Sequence, residues 1–259
     1  ELEKKYIYRI LLLTVTNFSS DLMGFDNLQA GALRPWEGTG SYYEEPHLAS
    51  FLGRVNYTYD DRYVLTVNAR TDASSKFGAN HKWGFFPSVS AAWNVSNEQF
   101  MKQITWIDNL KLRLGYGLAG NQGGIDSYTT MNLVRPNGVA PVGNSPVVTY
   151  ETLRNINPDL KWEVKHTFNA GFDVGFYGNR LLLSVNYYNS KTTDMLYNYR
   201  VSVPPFTYNT LLANIGSMRN SGTEISVGYY SIEDQGYGAE YQCKYNFPEE
   251  QVAFAEWYV

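Results

Sequence analysis

The chain has 259 residues, a formal net charge of −4, and an aromatic content of 16%, with 22 Tyr, 13 Phe and 6 Trp. That charge balance leaves no basic footprint for nucleic acid, and the single cysteine, Cys243, excludes an intrachain disulfide framework and any multi-cysteine metal site. No run reaches the ~18 apolar residues of a spanning helix; Ile7 to Val15, the best, is broken by Arg9. The aromatic share fits a sheet with girdles at a lipid–water boundary as well as it fits a Tyr-rich extracellular β domain.

Period-2 alternation dominates, in chain order. From Leu48 to Asp60, Ala49, Phe51, Gly53, Val55, Tyr57 and Tyr59 alternate with Ser50, Leu52, Arg54, Asn56 and Thr58, a mostly polar side. The next run sets Tyr63, Leu65, Val67 and Ala69 against Arg62, Val64, Thr66, Asn68 and Arg70. Phe85 to Val95 and Asn109 to Leu118 follow, with a helical turn or two expected between Ser96 and Ile107. From Lys161 to Val174, Trp162, Val164, Phe168, Ala170 and Phe172 oppose Glu163, Lys165, Thr167, Asn169 and Asp173. Leu181 to Tyr188, Asn214 to Arg219 and Thr223 to Tyr230 complete the readable strands.

Short and long links alternate between these strands. Asp60–Asp61, Gly178–Asn179 and Asn220–Ser221–Gly222 are read as tight turns, whereas Thr71 to Trp83, Ala119 to Pro158 and Asn198 to Leu212 are long. An up-and-down meander places links of one parity on one side of its sheet, and outer-membrane barrels have short turns on one side and long loops on the other. The pattern therefore predicts an all-β, antiparallel up-and-down meander forming part of a large outer-membrane β-barrel. Three segments are expected: 1–47, a weak strand and long loop; 48–231, barrel strands and loops; and 232–259, a divergent tail. Alternation decays after Gly228, and a shifted reading frame over Ala239 to Val259 is the working hypothesis, which the nucleotide sequence decides.

Several segments, in order and spacing, resemble the barrels of SusC/RagA-type TonB-dependent receptors of Bacteroidetes. They include Ser50-Phe51-Leu52-Gly53-Arg54-Val55-Asn56-Tyr57, Arg70-Thr71-Asp72-Ala73-Ser74-Ser75-Lys76-Phe77-Gly78 and Trp83-Gly84-Phe85-Phe86-Pro87-Ser88. Others are Trp106-Ile107-Asp108-Asn109-Leu110-Lys111-Leu112-Arg113, Asn155-Ile156-Asn157-Pro158-Asp159-Leu160-Lys161-Trp162-Glu163 and Asn214-Ile215-Gly216-Ser217-Met218-Arg219-Asn220-Ser221-Gly222. The resemblance runs from about Asn17 to Tyr229. It implies a 22-stranded barrel with an internal plug in the bacterial outer membrane, importing oligosaccharides or peptides, energised by TonB and closed by a SusD-like lipoprotein. Two other readings remain: a carbohydrate esterase or glycosidase, because such importers are encoded beside polysaccharide-degrading enzymes, and a non-catalytic glycan-binding module.

Gly115-Tyr116-Gly117-Leu118-Ala119-Gly120 satisfies G-x-G-x-x-G, but Asn121-Gln122-Gly123-Gly124 follows where a dinucleotide site needs a helix. His47, His81 and His166 lack metal-ligand spacing, and no G-x-S-x-G elbow occurs. A Ser–His–Asp site would have to combine His81 or His166 with Asp72, Asp173 or Asp194 from a distance. No cofactor, metal or nucleic acid is expected, and no catalytic or substrate-binding residue is assigned. Arg54, Arg62, Arg70, Lys111, Arg113, Lys161, Glu163 and Asp173 read as the polar lining of a barrel. The loops around Asn121 to Val148 and Tyr199 to Thr210 are the better candidates for recognition.

Overall fold

A computed structural model describes residues 16–18, 28, 30–33, 41, 43–78, 80–232 and 238–254. Short strands β1 (Thr16–Phe18) and β2 (Gly31–Leu33) pair with each other. The main sheet contains β3 (Leu48–Tyr59), β4 (Tyr63–Ser74), β5 (Trp83–Asn94), β6 (Ile107–Asn121), β9 (Glu163–Phe176), β10 (Leu181–Arg200), β11 (Thr210–Ile232) and β12 (Gly238–Phe254). These eight strands lie in sequence order, every neighbouring pair antiparallel, so the meander is continuous. Between β6 and β9 the chain leaves the sheet and forms a separate hairpin, β7 (Val134–Val142) with β8 (Ser145–Thr152).

Register shows why the alternation matters. Tyr59, Tyr63, Trp93, Leu112, Phe172, Val185, Ile225 and Tyr245 stand opposite one another in succession across the sheet. One residue along each strand, the row becomes Thr58, Val64, Ala92, Arg113, Gly171, Asn186 and Glu224. The next row on that second face is Asn56, Thr66, Ser90, Gly115, Asn169 and Tyr188. One face is thus apolar and the other polar over the full width, because side chains alternate strictly along each strand. The apolar face is uncovered: Phe51, Val55, Phe85 and Leu114 are 57–67% exposed. A continuous apolar surface of this breadth requires an apolar medium against it. We call it the outward face.

Aromatics form two belts on that face. One carries Phe51, Trp83, Phe85, Tyr116 and Phe168, with Phe51 and Trp83 stacked at 6.2 Å. The other carries Tyr59, Tyr63, Trp93, Trp106 and Phe176, stacked in pairs at 5.8–6.5 Å. Phe85 to Trp93 and Phe168 to Phe176 each span eight positions. Eight residues at ~3.4 Å each cover ~27 Å along a strand, or ~20 Å of height at a tilt of ~40°, close to the ~25 Å apolar band of a barrel in a bilayer.

Several sequence expectations change. Asn220–Ser221–Gly222 is no turn: it lies inside the 23-residue β11, paired to Ser190, Asn189 and Tyr188 on one side and to β12 on the other. Ladders on both edges satisfy every backbone group there, and that outweighs the local turn preference of Asn, Ser and Gly. The following short link falls at 233–237, outside the described residues, and β12 runs antiparallel beside β11 from Gly238 to Phe254. Asp60 and Asp61 both take φ near 51°, as the two central residues of a primed turn closed by the Arg62 amide donating to the Tyr59 carbonyl at 3.0 Å. Tyr177, Gly178 and Asn179 all have positive φ in a four-residue link, whose Gly178 and Asn179 amides donate to Asp108 Oδ2 at 2.6 and 3.1 Å. The helical turns expected before Ile107 are 3-10 turns at Val95–Asn97 and Gln99–Gln103.

Those turns carry Glu98, which holds the short-link end together. Its carboxylate accepts from Tyr63 Oη (2.8 Å), Trp93 Nε1 (3.2 Å) and Arg62 Nη1 (3.2 Å). Arg62 therefore sits in the β3–β4 turn, also paired to Asp60 at 2.7 Å, and not along the wall where the sequence reading put it. The Tyr63 hydroxyl above all, then Trp93 and Arg62, hold the Glu98 carboxyl below the usual glutamate range. A depressed pKa gives stability that is complete above the unfolded value and is lost as pH falls through the folded one. The transition in Trp93 fluorescence is expected to fall below the pH at which an ordinary glutamate titrates, and Glu98→Gln is expected to remove it.

Candidate functional site at the loop end of the wall

The long links bring together the buried hydrophobic cluster of the described residues. Phe77 from the β4–β5 link, Phe86 from β5, and Ile125, Leu160 and Trp162 from the β6–β9 link form one buried cluster, with Leu118, Val164, Leu196 and Leu212 against it. Trp162 stacks at a tilt on Phe77 (4.7 Å) and edge-on to Phe86 (5.5 Å), and its Nε1 donates to the Lys82 carbonyl at 3.1 Å. Glycines permit the approach. A Cβ on Gly78 would collide with the Pro158 carbonyl, and one on Gly84 or Gly120 with the Phe86 ring. Trp162, expected on the apolar strand face, instead precedes β9 and turns inward, because this cluster buries its whole ring while its N–H finds a carbonyl.

The segment from Asn155 to Trp162 has no strand partner, and asparagine side chains replace the missing ladder. Asn155 Nδ2 donates to the Tyr208 and Thr210 carbonyls at 2.7 and 2.8 Å, and its Oδ1 accepts from the Thr207 and Tyr208 amides. Asn157 donates to the Leu212 carbonyl at 3.0 Å. Asn214 Oδ1 accepts from the Lys161 amide, and its Nδ2 donates to the carbonyls of Lys161 and Asp194. The amide side chain both donates and accepts, so it can pair with backbone as backbone does. Asn155→Ala is expected to cost roughly 2–3 kcal/mol, since several backbone groups lose their partner together. Faster proteolysis within 201–209 would report it; unchanged cleavage would contradict the stapling role.

Below the loops, the inward face carries an ordered polar lining. Asp173 and Arg113 pair at 2.8 Å; Arg113 Nη2 also donates to Asn186 Oδ1 at 2.7 Å, and Ser184 Oγ donates to Asp173. Arg54 Nε donates to Asn68 Oδ1 at 2.7 Å, and Asn68 donates in turn to Ser88 Oγ. Nearer the loops, Arg70 grips the buried Asp72 at 2.8 Å. Leu48, Leu52, Arg70, Asp72, Ser88, Gln122 and Trp162 line a groove of about 420 Å³ between this lining and the aromatic cluster. Glu163 holds the top of β10, accepting from the Leu196 amide at 2.8 Å and from Asn121 Nδ2 at 2.7 Å. Lys161 pairs with Asp194 at 2.8 Å.

The remaining sequence candidates separate. Asp72, Asp173 and Asp194 are bound to Arg70, Arg113 and Lys161, while His166 lies on the outward face with its Nδ1 3.0 Å from Tyr116 Oη. His81 lies in the β4–β5 link, and among the described residues no hydrogen bond or ion pair joins His81 or His166 to any of these aspartates. All of Gly115–Gly120 lies in β6, where Gly117 makes room for Ser88 on β5. The hairpin within the long link was missed, and Gly143 at φ 64° before Asn144 was its available signal. Arg135 and Asn137 clamp Glu151 across it, and Arg135 Nη2 reaches Tyr208 Oη in the β10–β11 link.

A meander with an outward apolar band between aromatic belts, a polar inner lining and long links on one side is the wall of an outer-membrane β-barrel. The chain belongs to the family of TonB-dependent receptor-like β-barrels, whose model matches residues 8–256, most of the divergent tail included. It is 36% identical over 227 residues to TonB-dependent receptor P26 of Formosa agariphila, covering 85% of this chain and 22% of that protein. It is 33% identical over 235 residues to TonB-dependent receptor SusC of Bacteroides thetaiotaomicron, covering 82% of this chain and 23% of that one. Among solved structures, the RagAB peptide importer in its open-open state superposes with a TM-score of 0.75 at 26% identity, over 88% of this chain and 24% of that chain. The chain thus spans less than a quarter of the length of these relatives. The family is one of receptors and transporters, and its barrels sit in the outer membrane.

Proposed function

We propose that the chain is a wall and loop segment of an outer-membrane importer of oligosaccharides or peptides, driven through TonB and capped by a SusD-like lipoprotein. The observation that carries this is the division of one sheet into an apolar outward face and a polar inner face, with packed long links on one side. A wall of this kind separates lipid from an aqueous passage, and its ordered charges pair with one another while leaving a groove for polar solutes. The relatives named as SusC and as a peptide importer support the two solute classes. The loops, positioned by a rigid scaffold, are where solute and partner selection would lie.

Gene deletion in the source organism tests the reading. Uptake of one oligosaccharide or peptide class is expected to fall to background and to return on complementation, but not in a strain lacking TonB. Undiminished uptake of every such class would overturn it.

A further inference from the structure

Wherever β3 to β11 face outward up to the register shift in β10, the side chains are apolar, aromatic or small and uncharged, with three exceptions. His166 on β9 stands opposite Lys191 on β10, and Lys191 opposite Arg219 on β11. The three basic groups occupy one row, neighbouring strands being ~5 Å apart. Lys191 and Arg219 are exposed, and among the described residues neither has a carboxylate partner. Arg219 is steadied by Asn189 Oδ1 at 3.1 Å, and the His166 ring by Tyr116 Oη at 3.0 Å. β12 brings Gln251 opposite Arg219 and Glu249 opposite Ser221, so even with Glu249 counted the corner keeps surplus positive charge.

Their height is informative. His166 is two residues beyond Phe168 of the loop-side belt, and Lys191 four residues beyond Tyr187 on the same face. The row therefore lies just above the apolar band, where headgroups and not acyl chains meet the protein. Long basic side chains at that level reach phosphate oxygens readily.

We propose that His166, Lys191 and Arg219 form a binding site for the phosphorylated headgroup of an outer-leaflet lipid. The site rests on the reading that the apolar face meets lipid. One phosphorylated headgroup can touch two of the three cations at once, and attraction of ~1 kcal/mol per basic residue near an anionic surface corresponds to about fivefold each.

The test extracts the receptor containing this segment from its outer membrane in mild detergent and counts retained phosphorylated lipid by native mass spectrometry. The wild type is expected to keep lipid that Lys191→Gln/Arg219→Gln loses by at least about tenfold, whereas Lys191→Arg/Arg219→Lys keeps it, which separates loss of charge from loss of fold. Retention by the glutamine variant equal to wild type overturns the site. So does equal binding of added dephosphorylated lipid, or occupancy by inorganic phosphate alone. A Phe168→Trp reporter in vesicles with brominated acyl chains distinguishes the two levels: quenching without headgroup retention refutes the site alone, and no quenching refutes the lipid-facing reading as well.

Discussion

Replacing Trp162 by alanine is expected to destabilise the loop assembly by about 3–5 kcal/mol, the range for truncating a buried large aromatic. The residue is 6% exposed, touches Phe77 and Phe86, and covers the fully buried Leu160. Its removal opens a cavity where three separate chain segments meet, and takes one of two donors from the Lys82 carbonyl, which keeps the Ser74 amide at 3.1 Å. The wall below is held by strand ladders and should keep its β signal. The expected readout is selective: protease cuts within 75–82 and 153–162 should appear while the sheet stays protected. Trp162→Phe, which keeps an aromatic ring but loses the pyrrole part of the indole and its hydrogen bond, should cost less, about 1–3 kcal/mol. Equal protease resistance of the alanine variant and wild type would show that the cluster does not hold the loops.

Leu112→Arg should cost about 2–4 kcal/mol of folding stability in a bilayer, the value for a charge near the midplane of the lipid face. Leu112 stands on the outward face opposite Phe172, which is midway between the belt residues Phe168 and Phe176 on β9. Thr66→Arg supplies the contrast. It occupies the polar face between Asn56 and Ser90, next to groups that already pair with arginines, and is expected to change stability by only a few tenths of a kcal/mol. Urea titration of both variants in lipid vesicles measures the difference. Equal costs would remove the distinction between the two faces.

Most of the wall was legible because a half-buried strand writes its environment into alternate residues. Between Leu48 and Arg70 the expected face assignments hold except that of Arg62, which lies in the turn. The loop end was less legible because its determinants lie far apart: Lys82 and Trp162 are separated by 80 residues, and alternation read locally placed Trp162 on the wrong face. The β7–β8 hairpin escaped because Pro136, Gly138, Pro141 and Pro146 break its pattern, and because it stands apart from the sheet. β10 and β11 extend to Arg200 and from Thr210, leaving a link of 201–209 where a longer one was expected. Asn220–Ser221–Gly222 reads as a break when taken alone, whereas cross-strand pairing on both sides makes it strand. The link residues that pack the loop end, Phe77, Ile125 and Leu160, gave no periodic signal.

The two-faced wall is tested most directly by spin labels placed singly along β10 from Leu181 to Lys191 in the membrane-embedded protein. Labels at Leu183, Val185 and Tyr187 are expected to collide preferentially with lipid-soluble oxygen. Those at Ser184, Asn186 and Tyr188 should collide preferentially with a water-soluble nickel complex, giving an unbroken alternation of period two. Accessibility that varies smoothly along the strand, or alternates with the opposite phase, would contradict a lipid-facing apolar surface and a polar interior.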